Sequence, residues 1–297
     1  MTGLDTADER PLVEMRNLYR TYGVAPSRLR PRARQVHALD GVSLAIARGE
    51  RFGVVGESGS GKSTLIRLLA ALDQPTSGEV YFDDQLVSGR KERHLGFLRR
   101  ELQVVFQDPM SSLDPRMKVR QIIAEPLVAT GRADSLSRVF ELLDAVGLPR
   151  AAADRYPHQF SGGQRQRISI ARALAPSPSV LIADEAVSGL DVSVRAQILN
   201  LLVDLVNDFS LTMIFVSHDL AVVRRVCDRV AVLHHGNLVE VGTTAQIYSN
   251  AAQPYTRELI AAAPVLRHAM ENPADDLRLD KLNPAGALPG GSEELLQ

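Results

Sequence analysis

The segment Gly56-Glu57-Ser58-Gly59-Ser60-Gly61-Lys62-Ser63-Thr64 has the composition and spacing of an anion cradle. It follows a short apolar run (Phe52, Val54, Val55) and precedes an apolar helical pattern (Leu65, Ile66, Leu68, Leu69, Leu72), which predicts a strand, a glycine-rich loop and a helix. Glycines let such a loop turn its N–H groups inward around a triphosphate, and the helix N-terminus behind them adds the positive end of its dipole. Lys62 is then a point charge for the β- and γ-phosphate oxygens, the Ser63 hydroxyl a ligand for Mg²⁺, and Thr64 a neighbour of the α-phosphate. Nucleotide binding is the chemistry this string predicts.

A second chemical group lies downstream. Val180-Leu181-Ile182-Ala183-Asp184-Glu185 is an apolar strand ending in two acids. Ligands gather at the carboxyl ends of strands in open α/β sheets, so Asp184 is suited to hold Mg²⁺ directly or through water. Glu185 is then free to orient or deprotonate an attacking water. Adjacent carboxylates also occur as solvated surface or at helix N-termini, but an intact phosphate loop in the same chain favours catalysis. Between the two motifs, Phe160-Ser161-Gly162-Gly163-Gln164-Arg165-Gln166-Arg167 opens a helix that runs through Ile168, Ile170, Ala171 and Leu174. A serine and two glycines at a helix N-terminus again present N–H donors and a dipole to an anion, although Ser161 alone is explained by helix capping.

The elements that must position these groups follow from periodicity. Strands are predicted at Leu12 to Arg16, across Val42, Leu44 and Ile46, and at Arg51 to Val55. A strand pair is predicted from Glu79 to Val87 turning at Asp83-Asp84, and a strand from Leu102 to Phe106. That order suggests a small antiparallel sheet beside a parallel core. From Asp108 to about Gln159 two helical stripes follow (Val119, Ile122, Ile123, Leu127; Val139, Leu142, Leu143, Val146), with breakers at Pro126, Gly131, Gly147-Leu148-Pro149 and Pro157. Strands return at Val180 to Ala183, at Met213 to Val216, and in a hairpin from Val230 to Val241 turning at His235-Gly236-Asn237. The last forty or so residues lose periodicity, with Gly286 to Gly291 loose, so a partly ordered tail is expected.

Bulk properties narrow the classes. At 297 residues and 45% hydrophobic content the chain suffices for one large domain with a subdomain and tail, or two modest domains. Its 34 Lys+Arg balance 35 Asp+Glu, for a net charge of −1, so charge gives no case for a nucleic-acid partner. The run Arg28, Arg30, Arg32 and Arg34, interleaved with Pro26 and Pro31, reads as a solvated loop. Met1 to Glu9 lacks an export signal, and no stretch approaches the ~20 apolar residues of a membrane span. The chain is therefore expected in the cytosol unless a partner holds it at a membrane. Cys227, the only cysteine, excludes an internal disulfide and a cysteine-only metal cage, and its pattern with Leu220, Val223 and Val226 marks a buried hydrophobe.

The order of Gly56 to Thr64, Ser161 to Gln164 and Asp184-Glu185 resembles the nucleotide-binding subunit of ATP-binding cassette (ABC) transporters, over roughly residues 11 to 265. The resemblance implies an α/β fold with a P-loop NTPase core of mixed parallel sheet and helices, an antiparallel β subdomain, a helical insertion and a C-terminal extension. It implies a core and β subdomain at 1–106 and 166–250, a helical subdomain carrying the signature segment at 107–165, and the extension at 251–297. By the same resemblance Tyr22 stacks on adenine, unless it is a packing residue. Gln107 touches Mg²⁺ and water and links the site to the insertion. Asp191, in Ser188-Gly189-Leu190-Asp191, belongs to a loop crossing the dimer interface, or is only the N-cap of a helix from Val194 to Leu205. His218 contacts the γ-phosphate. Ala186 stands where the family usually has proline, a change of loop stiffness rather than of a contacting group. His234 and His235 match no motif and read as turn residues.

Two such domains pair head to tail in this family, each ATP held between one chain's Gly56-type loop and its partner's Ser161-type loop, so one chain holds two half-sites. The cofactors implied are ATP and Mg²⁺. Phe106-Gln107-Asp108-Pro109 with Ser111-Ser112-Leu113-Asp114-Pro115, Leu190-Asp191-Val192-Ser193, and Gln253-Pro254-Tyr255-Thr256-Arg257 resemble the oligopeptide, dipeptide and nickel importer subgroup. The tail segment usually begins with histidine there, so Gln253 departs from the pattern; by chemistry alone Pro254-Tyr255 means a turn with an anchored ring. This subgroup implies a second, commonly different, ATPase chain, two membrane-spanning permeases, an exported solute-binding protein, and a place on the cytoplasmic face of the inner membrane. The alternatives are import of another solute such as a nickel chelate, or a soluble non-transport ABC ATPase acting on ribosomes or DNA; the latter conflicts with a single cassette, no long heptad run and no net positive charge. Met110, Leu113 and Met117, just after Gln107, are either the docking surface for a membrane subunit or core.

Overall fold

Near-continuous apolar strands such as Val180–Asp184 and Thr212–Ser217 belong in the middle of a parallel sheet covered on both faces, and they are buried there along almost their whole length. The computed structural model describes residues 10–24, 34–129 and 136–262. Strands β3 (Arg51–Val55), β6 (Leu102–Val105), β7 (Val180–Asp184), β8 (Thr212–Ser217) and β9 (Arg229–His234) run parallel, with β10 (Asn237–Thr243) antiparallel at one edge. Their order is β10-β9-β3-β8-β7-β6. A second, antiparallel sheet has the order β2-β1-β4-β5, from β1 (Val13–Val24), β2 (Arg34–Ile46), β4 (Ser77–Phe82) and β5 (Gln85–Leu86).

Alternation along β3 divides the core. Phe52 and Val54 point into a cluster that includes Leu65, Ile66, Leu68 and Leu69 of α1 (Lys62–Leu69) and the antiparallel sheet. Val55 points into a larger cluster with the helices on the other face. The loop between β3 and α1 thus hangs between two buried elements.

The helical region holds α2 (Gly96–Glu101), α3 (Pro109–Ser112), α4 (Val119–Ala129), α5 (Leu136–Ala145) and α6 (Gly162–Leu174). Both expected stripes are buried. Pro126 does not break the helix: it lies inside α4, buried with Ile123 and Leu127, where packing outweighs the helical N–H a proline lacks. Leu113 is core rather than surface, at 2% exposure, Met117 packs against that core, and only Met110 is open, at 40%. The chain continues through α7 (Val192–Asp208), α8 (Leu220–Val226), α9 (Thr244–Asn250) and α10 (Pro254–Ala262). Cys227, at the end of α8, is buried as expected, and burial pushes its thiol pKa up.

Two hairpin turns match the sequence. Asp83 and Asp84, then His235 and Gly236, take positive φ between paired strand ends, the left-handed two-residue turn that suits the twist of a hairpin. Strand β1 runs well past Arg16 because its register shifts between Met15 and Thr21, where alternation breaks. The expected strand end at Phe106 falls at Val105, and Phe106 is exposed. Residues 1–9, Arg28, Arg30, Arg32, the expected breaker Gly131 and the tail including Gly286 to Gly291 lie outside the described residues. Among the described residues no helix is long and apolar enough to cross a membrane.

Candidate functional site

Gly56, Gly59 and Gly61 take φ of 154°, 80° and 106°. The first and last are also sterically fixed as glycine: a Cβ at Gly56 would meet the Leu233 carbonyl at 2.2 Å, and one at Gly61 the Ala38 carbonyl at 2.5 Å. The loop closes on itself through Ser60 N–H to the Glu57 carbonyl, 3.1 Å, and Glu57 and Ser58 are exposed. At the start of α1 neither a side-chain cap nor an acidic residue competes for the first N–H groups, which leaves the dipole end open to an anion. Ser63 is exposed there, and Thr64 half-buried.

Lys62 is buried, and its Nζ donates to the carbonyls of Gly56 (2.7 Å) and Glu57 (2.8 Å). Burial lowers its pKa, opposed by the charges of Glu185, Asp184 and Glu57. Asp184 ends β7 opposite Val216 of β8, and its pKa is raised by burial and then by Glu185, with Lys62 opposing. A lysine and two carboxylates from remote parts of the sequence therefore share one electrostatic environment.

Glu185 stands in the left-handed region at φ 48°, a conformation that costs a non-glycine residue roughly 1–2 kcal/mol. Its N–H donates to the Val216 carbonyl at 3.0 Å, and its carbonyl accepts from the Ser188 N–H (2.9 Å) and hydroxyl (2.8 Å). Strain held this firmly is a mark of functional positions. The bend aims the carboxylate at His218, whose Nδ1 is 3.4 Å from Glu185 Oε1. His218 follows β8, whose end pairs with the end of β3 beside the phosphate loop. Gln107 is exposed two residues beyond β6, on the same sheet edge and one strand past Asp184.

The remaining predicted residues lie elsewhere. Ser161 caps α6: its hydroxyl accepts from Gln164 N–H, and the Gln164 side chain accepts from Ser161 N–H. Gly163 lies against α7, where a Cβ would meet Val194 at 2.4 Å, and Gly162 faces Leu190. No hydrogen bond or ion pair joins Ser161 to Gln164 with the phosphate loop among the described residues. Asp191 is the N-cap of α7, accepting from Val194 N–H and the Ser193 hydroxyl, which hold its pKa down. Tyr22 donates its hydroxyl to Asp73 at 2.6 Å, and the Arg20 guanidinium lies 4.3 Å from its ring centre while binding the same carboxylate. Sequence reasoning missed Arg20 and Asp73 as its supports, and missed that Tyr255 stacks on His234; only the intact Pro254-Tyr255 pair signalled an anchored ring.

Residues 39–188 match the family model described as ABC transporter. The chain is 47% identical over 278 residues to the glutathione import ATP-binding protein GsiA of Escherichia coli (strain K12) and to that of Shigella flexneri, covering 93% of this chain and 45% of each relative. It thus spans under half the length of these curated relatives. Among solved structures, the ATP-binding cassette MJ0796, as a post-hydrolysis dimer bound to ADP and Pi, aligns with a TM-score of 0.68 and 31% identity over 78% of this chain and 98% of that one. cbiO1 from Clostridium perfringens, part of the ABC transporter complex cbiONQ, aligns with a TM-score of 0.70 and 29% identity over 89% and 100%. Together with the phosphate loop, the strand-end acids and the two-sheet architecture, these matches establish that the chain belongs to the ATP-binding cassette (ABC) transporter family of ATPases.

Proposed function

We propose that this chain hydrolyses ATP to energise an ABC importer of di- or oligopeptides. The observation that carries this reading is the convergence of Lys62, Asp184, Glu185 and His218 at one sheet edge, with Glu185 and His218 3.4 Å apart. Lys62 leaves the Gly56 and Glu57 carbonyls for the β- and γ-phosphates, and Glu185 orients or deprotonates the attacking water. His218, held by Glu185, contacts the γ-phosphate. The peptide class draws support from the glutathione import relatives, since glutathione is a tripeptide.

The donor set fits Mg²⁺. Among the described residues no group of three or more His, Cys, Asp or Glu forms a closed metal cage. Ser63, Gln107 and the desolvated Asp184 offer a few hard oxygens, which suits an ion that keeps waters and binds substrate phosphates. When bound, Mg²⁺ supplies charge neutralisation to those phosphates.

Tyr22, held by Arg20 and Asp73, stacks on adenine. Ser161, Gly162, Gly163 and Gln164, with Asp191 nearby, serve the ATP of a second cassette, and the dimeric MJ0796 supports such pairing. In our reading that second cassette is a different chain, 107–165 is the helical subdomain, 1–106 with 166–250 the core, and 251–297 an extension. A cleft of about 490 Å³ bounded by Met110, Met117, Ile122 and the Glu125–Arg172 ion pair is the seat for one of two permeases. The chain would then sit at the cytoplasmic face of the membrane, with a solute-binding protein on the far side. The test is reconstitution with the permeases and second ATPase in proteoliposomes: ATP turnover stimulated by a peptide-loaded binding protein is expected. Turnover indifferent to any peptide refutes the solute class, and no turnover refutes the reading.

A further inference from the structure

His218 and Asp219 are consecutive, and they meet opposite ends of one segment, 185–195. His218 Nδ1 lies 3.4 Å from Glu185 Oε1 at its start. Asp219 Oδ2 lies 3.5 Å from Arg195 Nη1 at its end. The segment is braced internally: the Glu185 carbonyl accepts from the Ser188 N–H and hydroxyl, Asp191 caps α7, and the Arg195 N–H donates to the Asp191 carbonyl at 2.8 Å. Arg195 Nη2 also donates to the Leu190 carbonyl at 3.4 Å. Two stretches of chain that are remote in sequence are thus clipped together at two points.

The stretch that carries His218 is equally defined. Ser217, buried at the end of β8, accepts through its hydroxyl from the Asp219 N–H at 2.9 Å, which closes a turn around the histidine. Asp219 uses its two carboxylate oxygens separately. Oδ1 accepts from the N–H groups of Ala221 (3.0 Å) and Val222 (3.4 Å) at the start of α8, while Oδ2 faces Arg195. The cap fixes the carboxylate, so a charge drawing on Oδ2 acts on the turn that holds His218.

Stability gives a poor account of Arg195. Its side chain and that of Asp219 are 34% and 36% exposed, its two side-chain contacts are long, and its buried Nε completes no hydrogen bond among the described residues. Exposed ion pairs are weak, and a buried donor without an acceptor is a cost. We infer that Arg195 is a positioning residue for hydrolysis: paired with Asp219 at one end of the segment while Glu185 meets His218 at the other, it keeps the water-activating carboxylate and the γ-phosphate histidine in register. Arg195 itself touches neither water nor phosphate. Its removal therefore lowers turnover and leaves nucleotide affinity, which the phosphate loop supplies, in place. This rests on the roles of Glu185 and His218 proposed above.

The test is ATP turnover of the complex assembled with the permeases and second ATPase in proteoliposomes, read above the rate left by Glu185→Gln, with a fluorescent ATP analogue titrated against each variant chain. Arg195→Leu is expected to lower turnover about fivefold, the upper size of an exposed ion pair, with Kd changed by less than about twofold. Asp219→Asn keeps an oxygen for the α8 cap and turns an amide donor toward Arg195. It should lower turnover to a similar extent with little change in thermal midpoint, and it carries the test should Arg195→Leu not fold. Arg195→Lys, which retains the charge, should recover most of the loss. The combined Arg195→Leu and Asp219→Asn variant should fall no further than either alone, because both act through one contact. Unchanged turnover in both single variants, additive losses in the double variant, or a Kd that rises in step with the lost turnover would overturn the proposal. No turnover by the unmodified complex, or equal turnover with Glu185→Gln, would instead refute the reading of the site on which it rests.

Discussion

Shortening Leu113 to alanine separates two uses of one apolar patch. Leu113 is buried in the core with Val119, Ile122 and Ile123, while Met110, one helical turn earlier, is open beside the same cleft. Removing about three buried carbons at about 0.8 kcal/mol each forfeits about 2.4 kcal/mol of transfer energy. A residual cavity adds to that, within a usual range of about 2–5 kcal/mol. The adjoining cleft lets neighbours relax into the gap, so we expect the lower half of that range, about 2–3 kcal/mol. Leu113→Asp would bury an unpaired carboxylate and exceed about 4 kcal/mol. Met110→Asp should stay within about 0.5 kcal/mol of the parent, yet reduce co-purification with the permeases. Urea unfolding followed by circular dichroism reads the first effect, and affinity capture of the complex reads the second. A Leu113→Ala loss below about 1 kcal/mol would refute the core assignment; full permease capture by Met110→Asp would refute the docking assignment.

Glu185→Gln keeps the shape that the Val216 and Ser188 hydrogen bonds impose, so it should retain ATP binding while steady-state turnover of the assembled complex falls at least ~10²-fold; near-normal turnover would remove Glu185 from the chemistry. Lys62→Ala should weaken nucleotide affinity and turnover together, and unchanged affinity with an intact fold would remove the lysine from the site. For pairing, the Glu185→Gln chain alone should show little ATP-driven dimerisation in sedimentation, whereas a tight homodimer would overturn the expectation of a different partner chain. Burial pushes the Asp73 carboxyl up, but bonds from the Tyr22 hydroxyl, Gln74 N–H and Arg20 outweigh it and hold the pKa below its ordinary 3.8. Its contribution to stability is then present above that pH and lost as pH falls through the depressed value, so Asp73→Asn should flatten the acid limb of a stability profile below about pH 4; an unchanged slope would contradict this.

The phosphate loop was legible because its chemistry is local: consecutive residues supply the N–H donors, the helix end and the lysine, and the glycines that permit the turn lie among them. Strand-end acids were legible for a similar reason, since an apolar run buried on both faces ends where the sheet does. The two hairpin turns are carried by residues that tolerate positive φ. Other features depend on what lies across the fold. Pro126 stays helical and Leu113 turns inward because of the core they face, not because of their sequence neighbours. Register shifts in β1 erase the alternation that would have revealed its length. Only the tertiary structure brought Glu185 to His218, and Tyr255 onto His234. Sequence pattern encodes which face of an element is apolar, but the partner that meets that face is chosen when strands order themselves in the sheet and helices pack over it, and so contacts between remote side chains follow from topology.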